Sequence, residues 1–309
     1  LGLKALVLDN LVQDPSGVHE TASMWFFARL GIPAPREAHT LVYVNGTYVG
    51  LYAMVEPIDK NLVARVFGNE AGEQNDGYLY EFKKADEWWL SYLGPELDPY
   101  KRYFDPKTHE TQPDEMLYRP IESLVRLINE KPTEELSEAV GPYLDLRGLT
   151  RFLAVQNFIG EIDGFTGKWG MNNFYLYRLQ HHPQHRIIAW DDDLTFLDPA
   201  YDVMSFQESN VLVNKLMAVP EYRALYFETL SEAVKSASEG MAVGEPGALE
   251  REVRRELDLI DGAMLADTQR PYSDTEYLDA REFMKQFAPR RARYVECEVA
   301  RLTGTRPCA

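Results

Sequence analysis

The sequence predicts an α+β fold in which a small sheet-rich lobe precedes a larger helical lobe. Two patterns carry this. Short runs of β-branched and aromatic residues bounded by turn formers crowd into the first ~85 positions. From about residue 118 onward, apolar residues recur at three-to-four spacing, with one hairpin inserted. The expected division is an N-terminal lobe over residues 1–83 and a C-terminal lobe over 84–309.

In chain order, residues 3–8 read as a strand. Asp14-Pro15-Ser16 then starts a helix, with Ser16 as the candidate cap. Ala22, Trp25, Phe26 and Leu30 give that helix an apolar face, and Gly31 ends it. Pro33 and Pro35 make an extended link. Residues 40–55 form the clearest hairpin, because Asn45-Gly46 suits a type I′ turn between two strand-forming runs. Glu56-Pro57-Ile58-Asp59 closes the second strand, a short helix runs to Phe67, and residues 77–82 form a further strand. Residues 84–120 hold Trp88, Trp89, Tyr92, Pro95, Pro99, Pro106 and Pro113 and read as an irregular excursion at the start of the C-terminal lobe. Its aromatics are expected to pack beneath a loop, and Lys107 to lie on the surface. Helices follow over 119–130, 132–142 and 149–161, then strands over 173–177 and 186–190 around a turn at 181–185. The three histidines of that turn are expected in solvent. From Asn210 the pattern is helical, apart from loops near 238–247 and 266–275.

Composition narrows the function classes. The 309 residues are 45% hydrophobic, enough for a sizeable core, yet no apolar run approaches the ~20 residues that span a bilayer. Acidic residues outnumber basic ones 49 to 32, a net charge of −17. Nucleic-acid binding draws most of its affinity from basic side chains on phosphates, so no nucleic-acid partner is expected. An acidic chain that holds a phosphate cofactor must also bring in metal cations. Cys297 and Cys308 are spaced so that a disulfide could staple the end of the chain, and they read equally well as two thiols. No Cys/His spacing suits structural zinc. Leu1-Gly2-Leu3 is not an initiating sequence, so the chain reads as processed or truncated at its start.

The chemistry concentrates in 161–177 and 187–196. A helix delivers Asp163, a short loop follows, Asn172-Asn173 opens a strand, and the partner strand ends at Trp190-Asp191-Asp192-Asp193. A hairpin sets the start of one strand beside the end of the other, so either asparagine can lie next to Asp191. Phosphoryl transfer needs such a set: hard oxygen ligands to hold Mg²⁺ against phosphates, and a separate carboxylate to orient the attacking hydroxyl. Asp163 is the candidate for the latter; Asn172 or Asn173, Asp191 and Asp193 are the candidate ligands. Taken singly, Asp163-Gly164 and Asn172-Asn173 are ordinary turn signals. Three successive aspartates at a strand end repel one another unless solvated or bound to a cation. Gly68, Gly72 and Gly77 form no phosphate-cradling motif.

The chain resembles the CotH kinase family along nearly its whole length. The matching segments are Asp14-Pro15-Ser16, Gly31-Ile32-Pro33-Ala34-Pro35, residues 43–52, Val55-Glu56-Pro57-Ile58-Asp59, Gly77-Tyr78-Leu79-Tyr80, Asn172-Asn173-Phe174-Tyr175-Leu176-Tyr177, residues 190–196, Pro220-Glu221-Tyr222-Arg223 and residues 287–291. The resemblance implies an atypical two-lobed protein-kinase-like fold, ATP and Mg²⁺ as cofactors, and phosphorylation of serine or threonine on spore-coat or extracytoplasmic proteins. It makes Asp163 the catalytic aspartate, Asn172 or Asn173 the amide ligand and Asp191 the metal-binding aspartate. It makes Glu20 the partner of a phosphate-holding lysine, and Glu56, Pro57 and Ile58 the hinge beside adenine. Members of the family carry that lysine on an upstream strand, and this chain starts after it, with Lys4 the only lysine nearby. The lysine is therefore expected outside this chain, or its role displaced. That leaves as rival a weak or inactive kinase-fold coat protein that serves assembly or adhesion. A lone metal-binding or sugar-acting domain is the third reading.

Overall fold

The computed structural model describes residues 5–68 and 75–305. Lys4, Gly72, Cys308 and the first residues of the predicted strand 3–8 lie outside them. The strand within the described part is β1, Val7–Asp9. Helix α1, His19–Arg29, follows, then β2, Glu37–Val44, and β3, Thr47–Val55. These strands make an antiparallel sheet ordered β1-β3-β2. Asn45 and Gly46 have φ of 52° and 81°, the two left-handed positions a type I′ turn demands. The start of α1 differs from expectation. Its first turn is held by Asp14, whose Oδ2 accepts from the His19 N–H at 2.7 Å while Oδ1 accepts from the Ser16 N–H and hydroxyl, each at 2.7 Å. Gly17-Val18 separates Ser16 from the helix, so the one backbone N–H its hydroxyl accepts from is that of Val18, at 3.4 Å.

Helix α2, Lys60–Phe67, is capped by Asp59, and β4, Tyr78–Phe82, follows. The excursion contains helix α3, Asp98–Lys101, strand β5, Phe104–Pro106, and helix α4, Asp114–Leu117. It is packed more regularly than its sequence suggests: β5 pairs with β4, and buried Trp88 stacks on Tyr103 at 4.4 Å. Lys107 pairs with Glu81 at 2.6 Å and with Asp105 at 2.9 Å.

Helices α5 (Arg119–Glu130), α6 (Leu136–Val140) and α7 (Leu146–Ile159) lead to strands β6 (Phe174–Arg178) and β7 (His185–Ala189). The second sheet runs β5-β4-β6-β7, so β4, the last element before residue 84, lies between strands from beyond it. One face of this sheet packs on α2 through Leu62, Phe67, Leu79, Tyr177 and Ile188. Helices α8 (Val211–Ala218), α9 (Pro220–Ala237), α10 (Ala248–Ala266) and α11 (Asp274–Thr303) complete the described chain. Buried α7 shares the main core with residues of α1, α5, α9 and α11. The result is an α+β protein with small antiparallel sheets and a larger, mainly helical remainder, as the sequence predicts.

Two side chains sit where their polarity alone would not put them. His185 is buried at the start of β7, not in solvent; its Nδ1 lies 2.8 Å from the Tyr143 carbonyl, and burial pulls its pKa down to about 4. Arg291, on α11, has no exposed surface. It donates to the carbonyls of Asn157 and Phe158 at the end of α7 and of Pro199 and Tyr201. Cys297 is disulfide-bonded. Among the described residues no helix is long and apolar enough to cross a membrane.

Candidate active site

Helix α7 ends at Gly160, whose φ of 73° turns the chain sharply. Buried Glu161 then accepts the Asp163 N–H and fixes the backbone that carries Asp163. The next residue must be small: a Cβ on Gly164 would sit 2.3 Å from Gln156 Nε2. That glutamine, on α7, accepts the Phe165 N–H at 2.9 Å and donates to Asp192 Oδ1 at 3.0 Å. One side chain thus ties the Asp163 loop to the triple-aspartate segment.

The loop closes where Asn172 N–H donates to the Gly164 carbonyl at 3.1 Å and Asn172 Nδ2 donates to Asp163 Oδ2 at 2.9 Å. Asn173 and Asp191 both adopt left-handed φ, 57° and 55°. They flank one end of the β6–β7 hairpin, where Phe174 faces Ala189. Non-glycine residues pay for that conformation with backbone strain, and two of them adjoin the chemistry here.

The electrostatics show how tightly the carboxylates converge. Burial, and then Asp9 and Asp163, push the Asp191 carboxyl up to about 6. Burial, Asp191, Asp9 and Asp14 push Asp193 up to about 7, against a 3.0 Å hydrogen bond from Gln13. Glu20 is raised well above its ordinary range by burial, then Glu37, Asp191, Asp9 and Asp193, and Glu37 rises to about 8, chiefly through burial. Asp192 and Glu161 are buried and raised too, and among the described residues Asp192 Oδ2, Glu161 Oε2 and Glu37 Oε1 find no hydrogen-bond partner. Carboxyls so placed favour the proton or a cation.

Asn172 is thus hydrogen-bonded to Asp163, Asp191 lies within the electrostatic influence of Asp163, and Asp193 and Glu20 within that of Asp191, with Asn173 next to Asn172 in the chain. Glu56 does not join them: its carboxylate is held by Arg36 at 2.8 Å and by Arg65, which keeps it below its ordinary pKa despite partial burial. Ile58 belongs to the apolar cluster with Tyr175 and Ile188, against which Trp190 packs. The Tyr175 hydroxyl of that cluster is raised by burial and then by Glu81, Asp105 and Asp191.

Sequence reasoning missed Lys84, Gln156, Glu161, Asp9 and Glu37. Lys84 Nζ lies 2.9 Å from Asp163 Oδ1, and the one signal for it was a lysine pair directly after a strand. Asp9 and Glu37 arrive through the β1-β3-β2 register, which no local pattern encodes. Among the described residues no three His, Cys, Asp or Glu side chains are placed to hold a metal ion by themselves. Two carboxylates with an amide suit Mg²⁺, which takes oxygen ligands and keeps several of its waters.

A family model described as "CotH kinase protein" matches residues 1–295. The chain is 24% identical over 248 residues to "Inner spore coat protein H" of Bacillus subtilis (strain 168), an alignment covering 76% of this chain and 63% of that protein. It thus spans less than two thirds of that relative's length. Among solved structures, a chain from the Shewanella oneidensis MR-1 complex of toxin–antitoxin proteins HipA and HipB with operator DNA is similar at a TM-score of 0.39 and 14% identity, covering 90% of this chain and 56% of that one.

Proposed function

The chain belongs to the CotH kinase family, and on that premise we propose that it transfers the γ-phosphoryl group of ATP to serine or threonine hydroxyls of a coat or extracytoplasmic protein. The observation that carries this reading is the Asp163–Asn172 hydrogen bond, together with the proton-favouring carboxyls of half-buried Asp191 and buried Asp193. In this reading residues 1–83 and 84–309 act as the two lobes, joined through the sheet that β4 shares with β6. The backbone of Glu56, Pro57 and Ile58 borders adenine, and Glu20 awaits a basic partner. Oxygens of Asp191, Asp193 and Asn172 or Asn173 would hold Mg²⁺, which would offset the charge that phosphates add to an acidic site. The name of the Bacillus relative supports a place in the spore coat.

Asp163 orients the acceptor hydroxyl. As the hydroxyl oxygen bonds to the γ-phosphorus, the bond from that phosphorus to the bridging oxygen breaks, ADP leaves with the electron pair, and the hydroxyl proton passes to Asp163. The test is incubation with γ-labelled ATP and a serine-rich coat-protein peptide. Wild type is expected to label the peptide. Asp163→Ala is expected to lose at least about a hundredfold in rate, the scale of general-base assistance, while nucleotide affinity stays within about twofold. No labelling by wild type would favour the scaffold reading, which the Asp163–Lys84 pairing and the absence of a basic partner for Glu20 among the described residues also support.

A further inference from the structure

We propose that Lys84 is the cation of this site that grips the transferring phosphoryl group, and that its present contact with Asp163 is the resting half of an exchange; the assignment rests on the kinase reading above. Among the described residues, Lys84 is the one cation paired with the side chains assigned there. Its Nζ lies 2.9 Å from Asp163 Oδ1 and 5.5 Å from the centre of the Trp169 ring.

The placement is built rather than incidental. Lys84 stands two residues beyond β4 on a strap anchored by the Lys83 N–H on the Tyr103 carbonyl and by buried Trp88, stacked on Tyr103. The loop after Asp163 lies against the same strap. Met171 N–H faces the Trp88 carbonyl at 3.4 Å, and a Cβ on Gly170 would stand 3.2 Å from Glu87 Cα. Strap and loop are therefore packed on each other, which sets the ammonium beside Asp163. A half-exposed ion pair adds little to stability, which leaves the position unexplained by folding alone.

The contact has a chemical consequence. Lys84 donates to one oxygen of Asp163 and Asn172 to the other, so an incoming hydroxyl must share an oxygen that already accepts a donor. A phosphoryl group brought beside Asp163 for transfer lies within reach of the same ammonium. Its oxygens compete for Lys84, and the contest frees Asp163 as they win it. Lysine suits this task, being a compact charge on a flexible stem. Lys84 would then supply the positive charge usually given by a lysine upstream, and would tie release of Asp163 to arrival of a terminal phosphate.

Calorimetric titration of MgATP and MgADP into wild type, Lys84→Met, Lys84→Arg and Lys168→Met tests this. Lys168 is exposed beside the same Trp169 ring, 5.6 Å from its centre, and serves as the charge control. Lys84→Met is expected to lose about tenfold or more in ATP affinity with ADP affinity within about twofold, the loss of one charge-assisted contact to the third phosphate. Lys84→Arg should restore most of the ATP preference, and Lys168→Met should leave it unchanged. An unchanged ATP-to-ADP ratio in Lys84→Met, or equal losses in Lys84→Met and Lys168→Met, would overturn the assignment and leave the kinase reading standing. If wild type binds neither nucleotide, both fall.

Discussion

Replacing Asp191 by asparagine should stabilise the metal-free protein while disabling it. Folding moves this carboxyl from an ordinary pKa of 3.8 to about 6, first through burial and then through Asp9 and Asp163. Between those two values the folded state holds a proton that the unfolded chain has released, so stability falls as pH rises through the window and stays low above it. The gap corresponds to about 3 kcal/mol at pH 8. An amide of nearly the same shape removes that cost, and relieves Asp193 as well. For a chain of this length the gain is a rise in Tm on the order of 5 °C. Urea unfolding of both proteins in EDTA measures it. The advantage of Asp191→Asn should be about 3 kcal/mol at pH 8 and shrink to about 1 kcal/mol near pH 4.5. His185, buried neutral with its pKa pulled down to about 4, works in the opposite direction over an overlapping range. It is common to both proteins and cancels in the difference. Mg²⁺ at pH 8 should stabilise wild type and leave the variant unmoved. A variant no more stable than wild type at pH 8, or an advantage that grows as pH falls, would refute the reasoning.

Two further substitutions probe the scaffold. Gly164→Ala puts a methyl 2.3 Å from Gln156 Nε2 and must displace the side chain that joins Phe165 to Asp192. It should cost about 1–3 kcal/mol and slow transfer about tenfold or more, and a cycle with Gln156→Ala should be strongly non-additive, as unfolding curves and rates will show. Arg291→Met strips donors from the carbonyls of Asn157, Phe158, Pro199 and Tyr201 together. The loss in urea unfolding should be on the order of 4 kcal/mol, and a loss below about 1 kcal/mol would mean that water replaces the guanidinium freely.

What the sequence made legible was local. Asn45-Gly46 dictated its turn because two consecutive left-handed residues have few other solutions. Helix α5 lies at 119–130 as its periodicity predicts, and the β6–β7 hairpin brings Asn172 and Asp191 to one end because the intervening turn is short. What stayed hidden depends on contacts between distant segments. Nothing near Glu81 announces that β4 pairs with β6, where Glu81 faces Tyr175 almost a hundred residues on, nor that β5 lies inside the aromatic excursion. Ser16 and Asp14 are equally good caps by type, yet Gly17-Val18 moves Ser16 away from the helix and Asp14 takes the role. His185 reads as a surface residue until the Tyr143 carbonyl supplies its partner, and nothing local to Arg291 announces the carbonyls it meets. Lys84 was invisible for the same reason: its meaning is Asp163, seventy-nine positions away.

The most direct measurement is a crystal structure with Mg²⁺ and a non-hydrolysable ATP analogue. The prediction is one cation bridged by Asp191 and the side-chain oxygen of Asn172 or Asn173, against the nucleotide phosphates, with the Asp163 carboxylate turned toward the terminal phosphorus. A nucleotide bound elsewhere, or a cation that ignores Asp191, would contradict it.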